Sequence, residues 1–466
     1  MATIAATLAR IKTDPLSLLG GADRVNELFA QAGHRWRACV WDPATTMGAF
    51  VLQVLHENTA IAGMRHLIDL DFKNSTYCEA RMRLPAKGVA KVVESLCGDC
   101  SKDMQEGRSW LGHRVFVADA TSATAPDMPA LQDLWPQPSA QKIGCGFPAI
   151  KLLGMLDLVT GMIVQLTLMC MNVHEMSQLA AMDAMLKAGD VLLADRGFCS
   201  FMHLAMLLKS SVNAVFRIQQ HQIVDFTPNR PHRSKSKFTK RGTPTSRYVR
   251  RLGYEDHVVA WAKPPRPDWM SEAEYALTPE WLEVRELRYR IVERGRRTRV
   301  VTIATTLLDS MRYTKQRIAN LYGLRWEIET NFRHLKTTMK MGQLKCQTPE
   351  GVLKELMIFV LVYNLIRAAM TMAGARQGVD PNRIKFHRCR AMAALAMHAA
   401  KPQGLGRNRS GGQRRPPRTM VSASDQTEDE AVRPNEQTER RIRATCRRAR
   451  DCNLAERHSC LSPLDF

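Results

Sequence analysis

The alternation of apolar and polar positions divides this chain into blocks of different texture. From residue 1 to about 108, apolar residues recur at helical spacing in ADRVNELFAQAG, MGAFVLQVLHE and AKGVAKVVESL, which predicts an N-terminal helical domain. From His113 the texture becomes short and β-rich: RVFVADA, then FPAIKLLGMLDLV and MIVQLTLM, with Thr160-Gly161 between them as a hairpin turn. A helix from Glu175 to Leu186, a strand VLLAD, a helix from about Ser200 to Lys209 and a strand NAVFRI complete the order βββαβαβ over residues 109–219. This predicts an α/β fold with a mixed sheet flanked by helices. Over residues 220–309 a basic, turn-rich loop precedes the strand-like HVVAWA, LEVRELRYRIVE and TRVVTIATT, a β-rich insertion. Helical periodicity returns over residues 310–400, and residues 401–466 lose it in a basic segment read as a disordered tail.

One helical stretch, YGLRWEIETNFRHLK, carries more than packing. On a helix, the offsets of Arg325, Glu329 and Lys336 from Tyr322 put all four within an arc of roughly 60°. Arg333 and Lys340 share that arc and add two further phosphate-binding candidates. Leu321, Leu324, Ile328, Phe332, Leu335 and Met339 form an apolar stripe on a different arc, suited to docking the helix on a core. The plainer alternative is a solvated face laced by i,i+4 charge pairs.

Composition favours a polyanionic partner. Lys and Arg number 67 against 45 Asp and Glu, a formal net charge of +22 with a pI near 9.8. The most apolar run, Leu356 to Ile366, is interrupted by Asn364 and reads as a buried helix, so no membrane role is expected. The first residues lack a secretory pattern and the 12 cysteines are scattered, which suits a cytoplasmic, reducing setting. Cys97 and Cys100 have metal-ligand spacing, but no second pair follows to complete a zinc site. A metal, if used, is expected to be oxygen-ligated.

Two aspartates close predicted strands: Asp119 ends VFVAD and Asp195 ends VLLAD. Carboxylates at strand ends point into the crevice where ligands of such sheets bind, although either one alone also reads as a turn or helix-cap aspartate. If the first and fourth strands lie side by side, the later helix can bring Glu329 over their ends. Three carboxylates can then hold two Mg²⁺ or Mn²⁺ ions for an in-line attack on phosphorus.

With these residues the chain resembles the DDE transposases with an RNase H-like catalytic domain, of the insertion-sequence family (type four) marked by the YREK pattern, Y-x2-R-x3-E-x6-K. Tyr322, Arg325, Glu329 and Lys336 match it without a gap, and Asp119 in VADAT and Asp195 in ADRGF resemble the family's first and second acids. The likeness extends through WPQPSAQKIGCGFP, VVTIATTLLD and KELMIFVLVYNLIR, from about residue 20 to 390. It implies an RNase H-like mixed sheet with a β-rich insertion. It also implies that Asp119, Asp195 and Glu329 are metal ligands, while Tyr322, Arg325 and Lys336 grip the cleaved DNA end. The partners implied are double-stranded DNA, as terminal inverted repeats and target, and a second copy of the chain in a synaptic homodimer. Three departures stand out: Ala120 where the family has Gly, Val300 and Val301 where hairpin-forming relatives carry a Trp, and a C-terminal segment that keeps the basic composition without the pattern. Two other readings stay open, a catalytically inactive DNA-binding remnant and an RNase H-like nuclease that only hydrolyses.

Overall fold

The computed structural model describes residues 16–399, apart from residues 69, 106–109, 143, 174, 179–181, 233–242 and 292–298. The predicted tail from Lys401 lies outside the described residues. Helices α1 (Gly21–Gln31), α2 (Pro43–Leu55), α3 (Asn74–Arg83) and α4 (Ala86–Gln105) make up the N-terminal region. The start of α2 follows from local chemistry: Asp42 accepts a hydrogen bond from the Thr45 N–H at 2.7 Å, and Pro43 supplies a preset φ at the first helical position. Helix α3 escaped the sequence reading because its apolar residues do not recur at helical spacing; only Tyr77 and Ala80 are buried.

The sheet begins with β1 (Val115–Thr124), followed after a short helix α5 (Pro129–Leu134) by the hairpin β2 (Ala149–Asp157) and β3 (Ile163–Cys170). The hairpin turns as expected at Thr160-Gly161, where Gly161 has φ +66° and Asp157 accepts from the Thr160 N–H at 2.8 Å. Of the helix expected from Glu175 to Leu186, Glu175–Gln178 form a 3₁₀ turn and residues 182–183 are helical, with residues 179–181 outside the described set. Strand β4 (Val191–Ala194), helix α6 (Phe201–Lys209) and strand β5 (Asn213–Arg217) follow. Strands β1, β4 and β5 are parallel neighbours and β1–β2–β3 antiparallel ones. The segment 109–219 therefore has the mixed RNase H-like order β3-β2-β1-β4-β5.

The next strands extend that sheet. β6 (Arg247–Gly253), β7 (Asp256–Ala262), β8 (Trp281–Ile291, after the short helix α7, Glu272–Ala276) and β9 (Arg299–Thr305) give the nine-strand order β3-β2-β1-β4-β5-β9-β8-β7-β6. Strand β6 was not anticipated. It is an edge strand, rich in arginine and with no buried residue, so it lacks the buried alternation that betrays a strand.

Helices α8 (Lys315–Gly323), α9 (Trp326–Arg333), α10 (Pro349–Gln377) and α11 (Phe386–Ala399) close the chain. Helix α10 is long and apolar enough to cross a membrane by composition, yet 83% of its most apolar stretch is buried in the protein. It packs against α2 and α4 and shares one core with β1–β3. Two of its buried charges face the N-terminal region: Lys354 donates to the carbonyls of Arg81, Met82 and Leu84, and Glu355 accepts from Asn58 and from the Lys345 and Cys346 amides. The ammonium thus caps the C-terminus of α3, and the N-terminal helices are locked to α10 by satisfied buried charges.

Candidate active site

The register of the parallel ladder sets the site's first row. Ala118, Ala194 and Phe216 are paired across β1, β4 and β5, so the next residues, Asp119, Asp195 and Arg217, stand side by side one step further on. Strand side chains alternate faces. Val115, Val117, Val191, Leu193 and Val215 belong to the core under the C-terminal helices, whereas Phe116, Ala118, Leu192, Ala194 and Phe216 belong to the opposite core. All three members of the row therefore face the C-terminal helices.

Asp119 does not end its strand. β4 stops at Ala194, but β1 continues to Thr124 on its pairing with β2, and Thr124 is bridged on the other side to Gln343. Nor is there a turn at Ala120, which pairs with Leu153 and donates its N–H to Asp119 Oδ1 at 2.8 Å. Asp195 does end β4, and it heads a 3₁₀ turn (Arg196–Phe198) without capping it by its side chain. Its recorded partner is Tyr322, whose hydroxyl donates to Oδ1 at a long 3.5 Å.

The single helical face predicted for Tyr322 to Lys340 is broken in two places. Helix α8 ends at Gly323, and Leu324, expected in the apolar stripe, is 42% exposed at the break. A π turn over His334–Thr338 then follows α9, with the Met339 N–H reaching back to the His334 carbonyl at 2.9 Å. Lys340 lies past the helix, exposed, with φ +66°. Arg333 is also exposed, and its guanidinium reaches Thr330 Oγ1 at 3.4 Å, which suits a solvated role. Lys336 sits on the π turn, half-buried. The remaining stripe residues Leu321, Ile328, Phe332, Leu335 and Met339 are buried as expected.

Tertiary structure, rather than one periodicity, brings the charged groups together. Arg325, only 6% exposed at the start of α9, places Nη2 2.9 Å from Glu329 Oε1 and Nη1 3.6 Å from Asp119 Oδ2. Its Nε is buried without a hydrogen-bond partner. Tyr322 is buried too, and burial holds its phenol well above the usual range. A solvated face would leave these two side chains in water, so that reading fails for them. Burial pushes the Asp119 carboxyl up to about 6; the Ala120 N–H and Arg325 oppose this, while Glu329 and Asp195 add to it. The three carboxylates thus act on one another in a partly buried space that holds a single shared guanidinium.

Two residues of this cluster were not anticipated. Arg217 is the third member of the ladder row, legible had the ends of VLLAD and NAVFR been aligned. Tyr289 of β8 left no sequence signal; its hydroxyl is buried without a partner, and burial raises its phenol to about 12 against the pull of Arg217 and Arg325. Trp326 adds an exposed ring beside Glu329, with the guanidiniums of Arg325 and Arg299 at 5.6 and 5.9 Å.

The donor set suits a hard divalent cation: three carboxylates, no sulfur, excess negative charge and access through Glu329, whose side chain is 42% exposed. Among the described residues no group of three or more His, Cys, Asp or Glu is gathered within reach of one ion. Arg325 occupies the space between Asp119 and Glu329 instead.

The class of fold is a mixed RNase H-like sheet, here with two aspartates at adjacent strand positions and a glutamate on a helix above them. Residues 110–365 match the transposase DDE domain family, and the chain belongs to that family. Divalent metal ions are general to it. The chain is similar to transposase InsG for insertion sequence element IS4 of Escherichia coli (strain K12), 25% identical over 319 residues that cover 67% of this chain and 64% of that protein. The chain thus spans under two thirds of that relative's length. Among solved structures, a cryo-EM structure of a piggyBac transposase synaptic complex with hairpin DNA aligns with 83% of this chain and 80% of its own, at 10% identity and a TM-score of 0.44.

Proposed function

We propose that this protein is a DNA transposase that binds the terminal inverted repeats of its element, cleaves at the ends and joins the 3′-hydroxyls to target DNA. The observation that carries the reading is the shared row of Asp119 and Asp195 facing Glu329 around one buried guanidinium. Asp119, Asp195 and Glu329 would hold two Mg²⁺ or Mn²⁺ ions, which supply an activated hydroxyl and stabilise the leaving oxygen. Arg325 presents a planar fork that fits phosphate as well as carboxylate, so DNA at the site competes for the same guanidinium that now neutralises Asp119 and Glu329. Lys336 adds a point charge, and Tyr322 a hydroxyl donor held in place by burial. Arg217 extends the cationic rim on the β5 side. We assign DNA contacts to the N-terminal helices within residues 1–108 and to the insertion, residues 220–309, and a homodimer to the synaptic state. The excess of 22 positive charges supports a polyanionic partner.

The test replaces each acid by its amide. Asp119→Asn, Asp195→Asn and Glu329→Gln keep shape and remove charge, so cleavage of a terminal-repeat duplex in Mg²⁺ should fall by at least about 10²–10³-fold. Circular dichroism and gel shifts should stay close to wild type. A turn or cap aspartate would tolerate Asn at a cost of tenths of a kcal/mol to about 1 kcal/mol in stability, with activity intact. Near-normal cleavage by any one variant removes that residue from the triad. Strand joining by the wild-type protein separates a transposase from a nuclease that only hydrolyses, and DNA binding without either reaction would identify an inactive remnant.

A further inference from the structure

Helix α9 carries Glu329 but has only eight residues, bounded by the break at Leu324–Arg325 and by the π turn. Its own backbone therefore cannot fix where Glu329 stands relative to Asp119 on the sheet. Glu327 lies two residues from Glu329, about 200° around the helix, and so faces away from the site. Its Oε2 accepts a hydrogen bond from Asn382 Nδ2 at 2.5 Å. Asn382 Oδ1 accepts from Arg367 Nη2 at 2.8 Å, and Arg367 Nε donates to the Thr160 carbonyl at 2.7 Å in the turn that joins β2 to β3.

This chain of bonds looks built for its path. Arg367 is 1% exposed and lies on Gly161, where a Cβ would come within 2.2 Å of its guanidinium. The Asn382 end depends on a tight reversal after α10: Gly378 has φ +64°, and Gly374 leaves room for the Val379 carbonyl, which a Cβ there would meet at 2.5 Å. The Asp380 carboxylate then accepts the Asn382 N–H at 2.8 Å and fixes its backbone.

We propose that Glu327, Asn382 and Arg367 are positioning residues that tie the back of the Glu329 helix to the β2–β3 turn and so set the spacing of Glu329 from the strand that carries Asp119. The inference rests on the carboxylate-triad reading above. Asn382 is the exchangeable link, because its amide donates to one neighbour and accepts from the other. Asn382→Asp takes away the N–H that Glu327 accepts, whereas Glu327→Gln keeps an acceptor oxygen toward Asn382. The double variant Glu327→Gln/Asn382→Asp restores the bond with donor and acceptor exchanged and keeps the acceptor for Arg367.

The experiment measures kcat and KM for terminal-repeat cleavage, Mn²⁺ affinity of the DNA-bound protein by titration of free Mn²⁺, and melting temperature. Asn382→Asp should lower kcat by about 10–100-fold and weaken Mn²⁺ binding by about tenfold, with KM for DNA unchanged. Glu327→Gln should stay near wild type, and the double variant should recover kcat and Mn²⁺ affinity together. If Asn382→Asp fails to fold, Glu327→Ala, which only removes the acceptor, reads the same quantities. Wild-type kcat and Mn²⁺ affinity in Asn382→Asp, or no recovery in the double variant, overturns the proposal. Glu329→Gln, run alongside, tells the two failures apart: if it leaves Mn²⁺ affinity and cleavage intact, the triad reading itself has failed.

Discussion

Arg325 shows how much one side chain can decide. Buried beside Asp119 and Glu329, with contacts of 3.6 Å and 2.9 Å to them, it opposes the rise of the Asp119 pKa, yet burial is the larger effect and that carboxyl still sits at about 6. His334 lies on the other side of the same helical segment, and there no neighbouring charge opposes burial. Its ring stacks on Phe386 at 4.5 Å, nearly parallel, and burial, helped by Arg367, Arg333 and His387, pulls its pKa down to about 4. A histidine depressed below its unfolded value of about 6.5 takes up a proton in the unfolded chain first, so it withdraws stability as pH falls from about 6.5 to about 4. Glu327, raised to about 7 mainly by burial with help from Asp380, works the other way: its contribution is lost as pH rises from about 4.5 to about 7. The measurement is therefore a difference. His334→Gln should flatten the acid-side loss of melting temperature relative to wild type, and parallel curves for the two proteins would show that His334 titrates as it does in water.

At the scale of the element, α9 reaches the sheet through a missing side chain. Gly154 of β2 pairs with Asp119, and a Cβ at Gly154 would meet the Phe332 ring at 2.7 Å. The glycine is a notch that lets Phe332 of α9 sit against the strand next to Asp119, which brings Glu329, one helical turn before Phe332, over the row of acids. Overpacking costs about 1–3 kcal/mol, so Gly154→Ala should destabilise by that amount and reduce cleavage more than DNA binding. Gly154→Ala/Phe332→Leu, which restores room, should recover both melting temperature and activity. If Gly154→Ala is neutral in chemical denaturation, the ring has another way to settle and the notch is not what seats the helix. The π turn is a second device of this kind. It adds one residue to a turn of helix and so rotates Lys336 away from the position that a regular helix would give it.

Across the molecule, a nine-strand sheet runs from the acids to the exposed arginines of β6, and the N-terminal helices are pinned to α10 by Lys354 and Glu355. On the proposed function, DNA bound along this body would be held in fixed relation to the row of acids, because the connecting charges are buried and satisfied. With its large positive excess the protein should release counterions on binding, so log K for a terminal-repeat duplex should fall linearly with log [salt]. A slope of about −0.9 per phosphate contact and at least about five contacts are expected. A flat response in a titration from low to moderate salt would rule out an extended DNA interface.

The order of the first five strands, the two aspartates, the hairpin at Thr160-Gly161 and the pattern from Tyr322 to Lys336 were legible in the sequence, because strand and helix periods and turn chemistry act over a few residues. The pairing of the first and fourth strands was also legible, since the order βββαβαβ leaves few ways to build a mixed sheet. What only the tertiary structure decided depends on partners far apart in the chain. Asp119 lies inside β1, and not at its end, because β4 is the shorter neighbour. Leu324 is exposed because α8 and α9 do not form one rod, and Lys340 leaves the shared arc because a π turn and a positive φ intervene. Tyr289 joins the site through the pairing of β8 far along the chain, which no local pattern encodes. Glu327, two residues from Glu329, reads in sequence as one more charge on a charged helix; it becomes an anchor only because a reversal more than fifty residues later (382 − 327) delivers Asn382 to its carboxylate.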